Sequence, residues 1–177
     1  MRTRKARLPD AVRIHELIGE YARESILLPR TMAEICENIR DFTVAEQRGD
    51  VVGCAALHFY GLDLVEVRSV AVDRRRQHKG VGRRLVEALL KEAREHNVPS
   101  VCLFTRIPDY FARLGFVTVG HERLPEKILK DCLNCPRLNC CDETAMVYGS
   151  AAALKPASRA AAEALRLPLP VFRTFPG

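Results

Sequence analysis

The sequence lacks the features that mark membrane and secreted proteins. No apolar run approaches the roughly 20 residues that a membrane-spanning helix needs. The basic start, MRTRKARLPD, has no apolar segment of the kind found in secretory signals. In a chain without such a signal, the seven cysteines are expected to be mostly reduced thiols. We therefore expect a cytoplasmic protein with no membrane partner.

Aromatic residues are also scarce, at 6% of the chain, and tryptophan is absent. The net charge of +6 and the basic stretch RRRQHKGVGRRL, residues 74–85, would suit an anionic partner. Nucleic-acid sites add aromatic side chains on which bases stack, yet no Phe, Tyr or Trp lies between Tyr60 and Phe104. The sequence thus argues against nucleic acid as the partner.

Length and composition indicate one globular domain. The chain has 177 residues, of which 47% are hydrophobic and 28% charged, and this suffices for a single buried core. From Ser150 the sequence becomes Ala-rich and then Pro-rich. We expect a domain over residues 1–149 and a C-terminal extension over residues 150–177, in which ASRAAAEALRL has the pattern of a helix.

Hydrophobic periodicity predicts an α/β fold. Asp10 is the expected N-cap of a first helix, and Thr31 and Glu34 form the capping-box pattern of a second. A hairpin turned at Arg48-Gly49-Asp50 follows, and helical periodicity resumes from Gly80. The predicted strands are FTVAEQ, VVGCAALHF, LVEVRSVAV, SVCLFT, FVTVG and AMVY.

The loop before the Gly80 helix has the chemistry of a phosphate cradle. A strand, a basic loop and a helix N-terminus in immediate succession aim several backbone N–H groups at one point, and the helix dipole adds positive potential there. Gly80 and Gly82 permit a tight turn and close approach of a ligand. The pattern is neither a Walker loop nor G-x-G-x-x-G. A pyrophosphate fits such a site.

Three segments together resemble the GNAT N-acetyltransferase superfamily. Gln77–Gly82 resembles its Q/R-x-x-G-x-G/A signature, preceded by Ser69–Asp73 and followed by Tyr110–Phe116. The resemblance extends over roughly residues 3 to 148. It implies an α/β GNAT acetyltransferase fold, with a mixed, mostly antiparallel central sheet flanked by helices, and acetyl-CoA as co-substrate.

The same resemblance implies where acetyl-CoA binds. Main-chain amides of Val70 and Val72 would hold the pantetheine and the thioester carbonyl, and the loop from Gln77 to Gly82 would take the pyrophosphate. Arg75, Lys79, Arg83 and Arg84 are candidates for the remaining phosphate charge. The expected cofactor-binding residues are Val70, Ala71, Val72, Gln77, His78, Lys79, Gly80, Val81, Gly82 and Arg83.

Acetyl transfer needs an unprotonated amine and a route for its proton. Glu66 is the expected catalytic base, acting directly or through a water; the alternative is a surface carboxylate paired with Arg68. The superfamily often places a tyrosine acid four residues before its Gly-Phe pair. Phe111 occupies that position, and Tyr110 is expected to point elsewhere on its helix. The thiolate is then expected to leave without a tyrosine donor.

Within the superfamily, the chain most resembles short stand-alone N-acetylglutamate synthases. The similar stretches are ILLPRT, Asp41-Phe42, GCAALHF, VEVRSVAV and LFTRIPDYFARLGF. This implies transfer to the α-amine of L-glutamate, the first step toward arginine. A dicarboxylic substrate needs cations, and the expected substrate-binding residues are Arg30, His58, Arg68 and Arg106.

Two other functions remain open. The domain could acetylate another amine, such as a polyamine or a protein N-terminus, which would favour acidic residues around the acceptor. It could also be a non-catalytic acyl-CoA-binding regulator. The expected partners are acetyl-CoA and a small-molecule amino acid, and a homodimer is left open.

A cysteine cluster stands outside these motifs. DCLNCPRLNCCDE carries Cys132, Cys135, Cys140 and Cys141, of which the first two form one C-x-x-C. Adjacent cysteines seldom reach one tetrahedral metal together, so a fourth ligand would have to be His121 or another group. Reduced thiols, a zinc site and a disulfide all remain open, and no metal is predicted.

Overall fold

A computed structural model describes residues 1–135 and 137–149. In chain order its helices and strands are β1 (Arg2–Lys5), α1 (Ala11–Arg23), α2 (Met32–Glu37), β2 (Phe42–Gln47), β3 (Asp50–Phe59), β4 (Leu64–Val72), α3 (Val81–Glu95), β5 (Ser100–Thr105), α4 (Pro108–Ala112), β6 (Val117–Thr118), α5 (Pro125–Lys130) and β7 (Thr144–Gly149). Within these residues, no helix has the length and apolar character that crossing a membrane requires. The predicted extension helix lies outside the described residues.

The strands form one mixed sheet in the order β1-β2-β3-β4-β5-β7-β6. Neighbouring strands run antiparallel except β4 and β5, which are parallel and joined through α3. A parallel pair requires such a crossover, whereas the antiparallel strands connect through short turns. The predicted α/β class and the mostly antiparallel sheet are confirmed.

Helices cover both faces of the sheet, so it has a core on each side. On one face, Leu85 and Leu89 of α3 pack against Leu57 and Val65 and are fully buried. On the other face, Ile14 and Ile18 of α1 and Ile35 of α2 cover the inner halves of β2 and β3. The apolar stripe predicted along α3 therefore faces the sheet, as its helical spacing requires.

The two central strands separate shortly after they meet. Pairing of β4 with β5 is confined to Leu64–Glu66 opposite Ser100–Cys102. On its other edge β4 carries a bulge against β3, where Ser69 has a φ of 55°. A bulge increases local twist and turns backbone groups out of the ladder. The outer half of β4 is thereby exposed to a cleft instead of a neighbouring strand.

The N-terminal strand is absent from the sequence prediction, which begins with a helix. β1 has too few apolar residues to show a strand pattern, and its contacts are ionic: Arg4 donates to Glu46 at 2.7 Å and to Asp10 at 2.7 Å and 3.0 Å. Asp10 precedes α1 as predicted, but its side chain makes no capping bond to the helix. The Asp10 carboxylate therefore bonds to Arg4 and does not cap the helix amides.

Other local predictions hold with adjustments. The capping box is confirmed, because Thr31 and Glu34 exchange side chain to backbone hydrogen bonds of 3.2 Å and 2.7 Å. The hairpin turn lies at Arg48 and Gly49, both at positive φ, while Asp50 already belongs to β3. The strand predicted over FVTVG shortens to Val117–Thr118, and AMVY lies within β7.

The Arg4–Asp10 pair predicts a pH-dependent stability. Hydrogen bonding to Arg4 lowers the pKa of Asp10 below its ordinary value. A lowered pKa in the folded state gives stability that is present above the unfolded pKa of about 3.9 and is lost as the pH falls through the folded value. Asp10→Asn should reduce the free energy of unfolding by about 1 kcal/mol at pH 7, measured by urea denaturation.

The deficit should persist to pH 5 and shrink as the pH falls below about 4. The exposed Asp50→Asn is the matched control and should shift the free energy by less than about 0.5 kcal/mol. A deficit of constant size down to pH 3 would contradict the linkage.

Candidate active site

A cavity of about 420 Å³ fills the space where β4 and β5 separate. One wall is the outer half of β4, and the other is the end of β5 with the start of α4. The loop before α3 closes one end, and the α1–α2 loop contributes Ile26 and Leu27. The predicted cofactor residues on its walls are Val70, Val72, Gln77, His78, Gly80, Val81, Gly82 and Arg83. Ala71 instead faces the α1 core.

The α3 end of the cavity has the form of an anion cradle. Gly80 is the N-cap of α3 and has a φ of 75°, in the left-handed region. At Gly82 an added Cβ would lie 2.9 Å from the Tyr110 hydroxyl, so the space there exists because the residue has no side chain. The first amides of α3 therefore open into the cavity, and these residues fit a pyrophosphate.

A tyrosine from α1 fixes this loop. The Tyr21 hydroxyl donates to the Val72 carbonyl at 2.6 Å and accepts from the Gln77 side-chain amide at 2.7 Å. The end of β4 and the loop are thus tied to one hydroxyl. Sequence periodicity identifies Tyr21 only as a helix residue with a buried face. The Gln77 side chain therefore holds the loop to α1.

The cations around the cradle differ in what they face. Among the four predicted phosphate-binding cations, Arg83 lines the cavity, where its guanidinium also holds Glu87 at 2.7 Å. The guanidinium of Arg75 contacts Asp73 at 3.3 Å. Arg76, which the sequence does not single out, lines the cavity as well. Positive charge at this end therefore comes from both sides of the loop.

At the opposite end the cavity narrows between two arginines. Arg68 lines it from β4 and Arg106 from the residue after β5. Arg106 donates to Asp142 at 2.6 Å and to the carbonyls of Ser25 and Ile26 at 3.0 Å. The carboxylate contacts of Arg68 are 3.7 Å and 3.9 Å, longer than hydrogen bonds.

The other two predicted acceptor residues lie farther out. Arg30 lines a small hollow beside α2 that meets the cavity at Arg68 and Ser69. His58 is outside both lined surfaces; its ring contacts the Asp41 carboxylate at 3.0 Å. The structure therefore brings Arg68 and Arg106 into one cavity, with Arg30 adjacent and His58 behind.

Glu66 lies deeper than the sequence suggests. It is 2% exposed, so the alternative of a surface carboxylate paired with Arg68 is wrong in its geometry. Its two oxygens contact the Lys127 ammonium at 2.8 Å and the Tyr60 hydroxyl at 2.7 Å. The Arg68 guanidinium lies 3.9 Å away, toward the cavity. The Arg68 guanidinium therefore lies between Glu66 and the cavity.

Asp131 completes this charged cluster. Its carboxylate contacts the Tyr60 hydroxyl and lies 3.0 Å from the Lys127 ammonium. Burial alone would lower the pKa of Lys127, but Glu66 and Asp131 outweigh it and hold that pKa above its ordinary value. Burial likewise opposes ionisation of Asp131, yet the Tyr60 hydrogen bond and Lys127 keep its pKa low. Neither Lys127 nor Asp131 belongs to a recognisable motif; the two are neighbours at i,i+4 spacing, and folding brings them to Glu66 and Tyr60.

Phe111, at the place where the family often has a tyrosine acid, is buried in the α3 core and also lines the cavity. The expectation that Tyr110 points elsewhere is wrong. Tyr110 lines the cavity, with its hydroxyl beside Gly82 at the phosphate end. Burial raises the pKa of Tyr110, so its phenol stays neutral.

All seven cysteines are free thiols in this structure. Cys132 and Cys135 bracket a single turn, closed by a 3.0 Å backbone hydrogen bond between them. Burial raises the pKa of Cys132 to about 11, whereas Cys140 and Cys141 are exposed. In the part of the chain that the structure describes, no three His, Cys, Asp or Glu side chains are grouped to hold a metal ion.

A splayed parallel pair with a helix-terminal phosphate cradle is the architecture of an acetyl-CoA-dependent acyltransferase, as the three motifs imply. Residues 11–116 match the Acetyltransferase (GNAT) family. The chain belongs to this family, and it is a GNAT-type N-acetyltransferase with acetyl-CoA as its co-substrate.

Two curated relatives are similar to this chain over most of their length. The chain is 44% identical over 144 residues to an uncharacterized N-acetyltransferase of Chlorobaculum tepidum, covering 81% of this chain and 93% of that protein. It is 39% identical over 119 residues to the amino-acid acetyltransferase of Mycobacterium tuberculosis, covering 66% and 68%. The second relative is named for the class of acceptor it acetylates.

Two solved structures share the fold closely. The crystal structure of Rv2747 from Mycobacterium tuberculosis, in complex with CoA, has a TM-score of 0.74 at 30% identity and covers 85% of this chain and 99% of that one. N-acetylglutamate synthase from Neisseria gonorrhoeae, complexed with coenzyme A and N-acetyl-glutamate, has a TM-score of 0.76 at 29% identity. That match covers 84% of this chain but 34% of the neisserial one.

The cradle predicts a specific loss of cofactor binding. Gly82→Val places a branched side chain against the Tyr110 hydroxyl and across the first turn of α3. The Kd for CoA, measured by isothermal titration calorimetry, should rise roughly tenfold or more. Gly61→Val is the matched control, because a Cβ there meets nothing within 4 Å. Equal CoA affinities for the two variants would contradict the cradle.

Proposed function

We propose that the protein transfers the acetyl group of acetyl-CoA to the α-amine of L-glutamate, the first step toward arginine. The observation that carries the proposal is the pair of guanidinium groups, Arg68 and Arg106, on opposite walls of one cavity. The synthase among the structural neighbours, crystallised with N-acetyl-glutamate, supports the same acceptor. An acceptor with two carboxylates matches two cations at the end remote from the phosphate cradle.

The two arginines suit different tasks. Arg106 is held by Asp142 and by two loop carbonyls, so its planar group is fixed in orientation before a ligand arrives. Arg68 has only distant carboxylate contacts, which leaves N–H groups for a ligand. Arg30, beside the hollow that meets the cavity at Arg68, adds positive potential at the entrance.

The chain's own groups supply the remaining chemistry. The acetyl thioester of the co-substrate provides the electrophile. Val70 and Val72, which line the cavity beyond the Ser69 bulge, are the residues whose main-chain amides would stabilise the thioester oxygen as it gains charge. Glu66 accepts the proton of the acceptor amine through a water, since Arg68 lies between its carboxylate and the cavity.

The acceptor is tested by measuring CoA-thiol release with acetyl-CoA across amino acids, polyamines and a peptide N-terminus. L-Glutamate should give the highest kcat/KM. Turnover of a polyamine with glutamate at the level of water would contradict the acceptor and leave the family assignment intact. CoA binding without turnover of any amine would indicate a non-catalytic acyl-CoA regulator.

Replacing Arg106 should weaken the binding of the acceptor and not that of acetyl-CoA. Arg106→Ala should raise the KM for glutamate roughly tenfold or more, because one carboxylate loses a fixed partner, while the KM for acetyl-CoA changes little. The exposed Arg94→Ala on α3 is the matched control and should leave both unchanged. Equal rises in the two KM values would contradict an acceptor role for Arg106.

A further inference from the structure

We propose that Tyr60 and Asp131 relay the proton taken up by Glu66 to the solvent. The inference rests on the proposed function, in which Glu66 accepts the proton of the acceptor amine. A buried base that has accepted a proton must lose it before the next turnover. Glu66 is 2% exposed, so apart from the one water that brings the proton, its carboxylate has no open contact with bulk solvent. Each catalytic cycle therefore needs an internal path outward.

The contacts form one continuous path. Glu66 Oε2 lies 2.7 Å from the Tyr60 hydroxyl, and that same hydroxyl contacts Asp131 Oδ2. Exposure rises along it: Tyr60 is 8% exposed, and the Asp131 side chain is 32% exposed. The path leads from the buried strand β4 through the residue after β3 to the residue after α5, where water can accept the proton.

Counting protons shows that the protonated cluster has two arrangements, which differ in the carboxylate that carries the proton. A phenol has one proton, so a tyrosine between two ionised carboxylates can donate to only one of them. When Glu66 is protonated, it donates to the Tyr60 oxygen while Tyr60 donates to Asp131. Moving both protons one step along the chain leaves Glu66 ionised and Asp131 protonated. The O–H bonds of Glu66 and Tyr60 break as new ones form on Tyr60 and Asp131.

This exchange keeps tyrosine neutral throughout. Burial, followed by the charge of Glu66, raises the pKa of Tyr60 well above its ordinary range, which excludes a free phenolate as the carrier. A concerted shift needs no phenolate. Asp131, whose pKa is held low, then releases its proton readily to water.

The surrounding charges return the relay to its resting state. Lys127 contacts Glu66 at 2.8 Å and Asp131 at 3.0 Å, and Arg68 approaches both. Two cations therefore face two carboxylates, so the negative charges of the cluster are offset by neighbouring positive ones. The other titratable groups facing the cluster are Cys102 near Glu66, Glu126 near Cys102, Lys130 and His58 against Tyr60, and Cys132 beside Lys127.

Three variants test the relay on the best acceptor found for the wild type. Glu66→Gln removes the base, Tyr60→Phe removes one hydroxyl while keeping the ring, and Asp131→Asn removes the exit carboxylate. All three should lower kcat roughly tenfold or more, with KM for both substrates little changed. Thermal unfolding and CoA binding establish that each variant is folded. Tyr148→Phe and the exposed Asp50→Asn are the matched controls and should keep wild-type kcat.

Two further measurements distinguish a proton relay from a purely structural role of Tyr60 and Asp131. Imidazole, a small diffusible proton carrier, should raise kcat of Asp131→Asn in a concentration-dependent way and leave the wild type unchanged. In the wild type, the solvent deuterium isotope effect on kcat should be explained only by more than one proton moving in the same step. In Tyr60→Phe, fewer moving protons should explain it.

The outcomes separate the relay from the function on which it rests. A wild type that acetylates glutamate, together with a folded Tyr60→Phe at wild-type kcat, overturns the relay alone. A slow Asp131→Asn without imidazole rescue overturns it as well, since Asp131 would then serve structure only. If Glu66→Gln turns over at the wild-type rate, Glu66 is not the base, and the relay is overturned as well. A wild type inactive on every amine removes the proposed function itself.

Discussion

Parallel pairing of β4 with β5 stops at Glu66 and Cys102, and the site depends on that stop. Up to this pair, β4 and β5 are hydrogen-bonded to each other and their side chains pack into the core. Beyond it, the Ser69 bulge and the separation of the strands leave backbone facing a cavity. Backbone polar groups need partners, and a ligand lying along this edge could take the place of a neighbouring strand. Glu66 stands at the last bonded pair, which explains why it is buried and yet lies just behind Arg68 on the cavity wall.

Burial of the Glu66 carboxylate is unfavourable, and a short helix much later in the chain compensates for it. A lone buried carboxylate would be strongly destabilising. α5 supplies Lys127 at 2.8 Å, and the residue after it places Asp131 within reach of the same ammonium. The segment between β6 and β7 is therefore tied to the end of β4, because its lysine offsets the charge of Glu66. Arg106 and Arg137 tie the α1–α2 loop to this side through the Ser25 carbonyl.

Local sequence signals account for the cofactor side and much less for the acceptor side. The cradle was predictable because Gly80, Gly82 and the start of α3 are neighbours in the chain, and their backbone geometry follows from glycine and helix ends. The Tyr60–Glu66–Asp131 cluster was not, since Tyr60 and Asp131 are 71 residues apart and belong to no motif. β1 was missed for a related reason: its strand is held by the Arg4 ion pairs, which leave no hydrophobic alternation to detect.

The strand order has a consequence for synthesis on the ribosome. β7 is the last described strand, yet it lies between β5 and β6 and pairs with both. Until it emerges, β5 has only its three parallel partners on β4, and β6 has no place in the sheet. A nascent chain ending before Thr144 would carry an open edge at β5, where unpaired backbone invites pairing with other chains. We therefore expect the cleft to acquire its second wall only after the final strand has been translated.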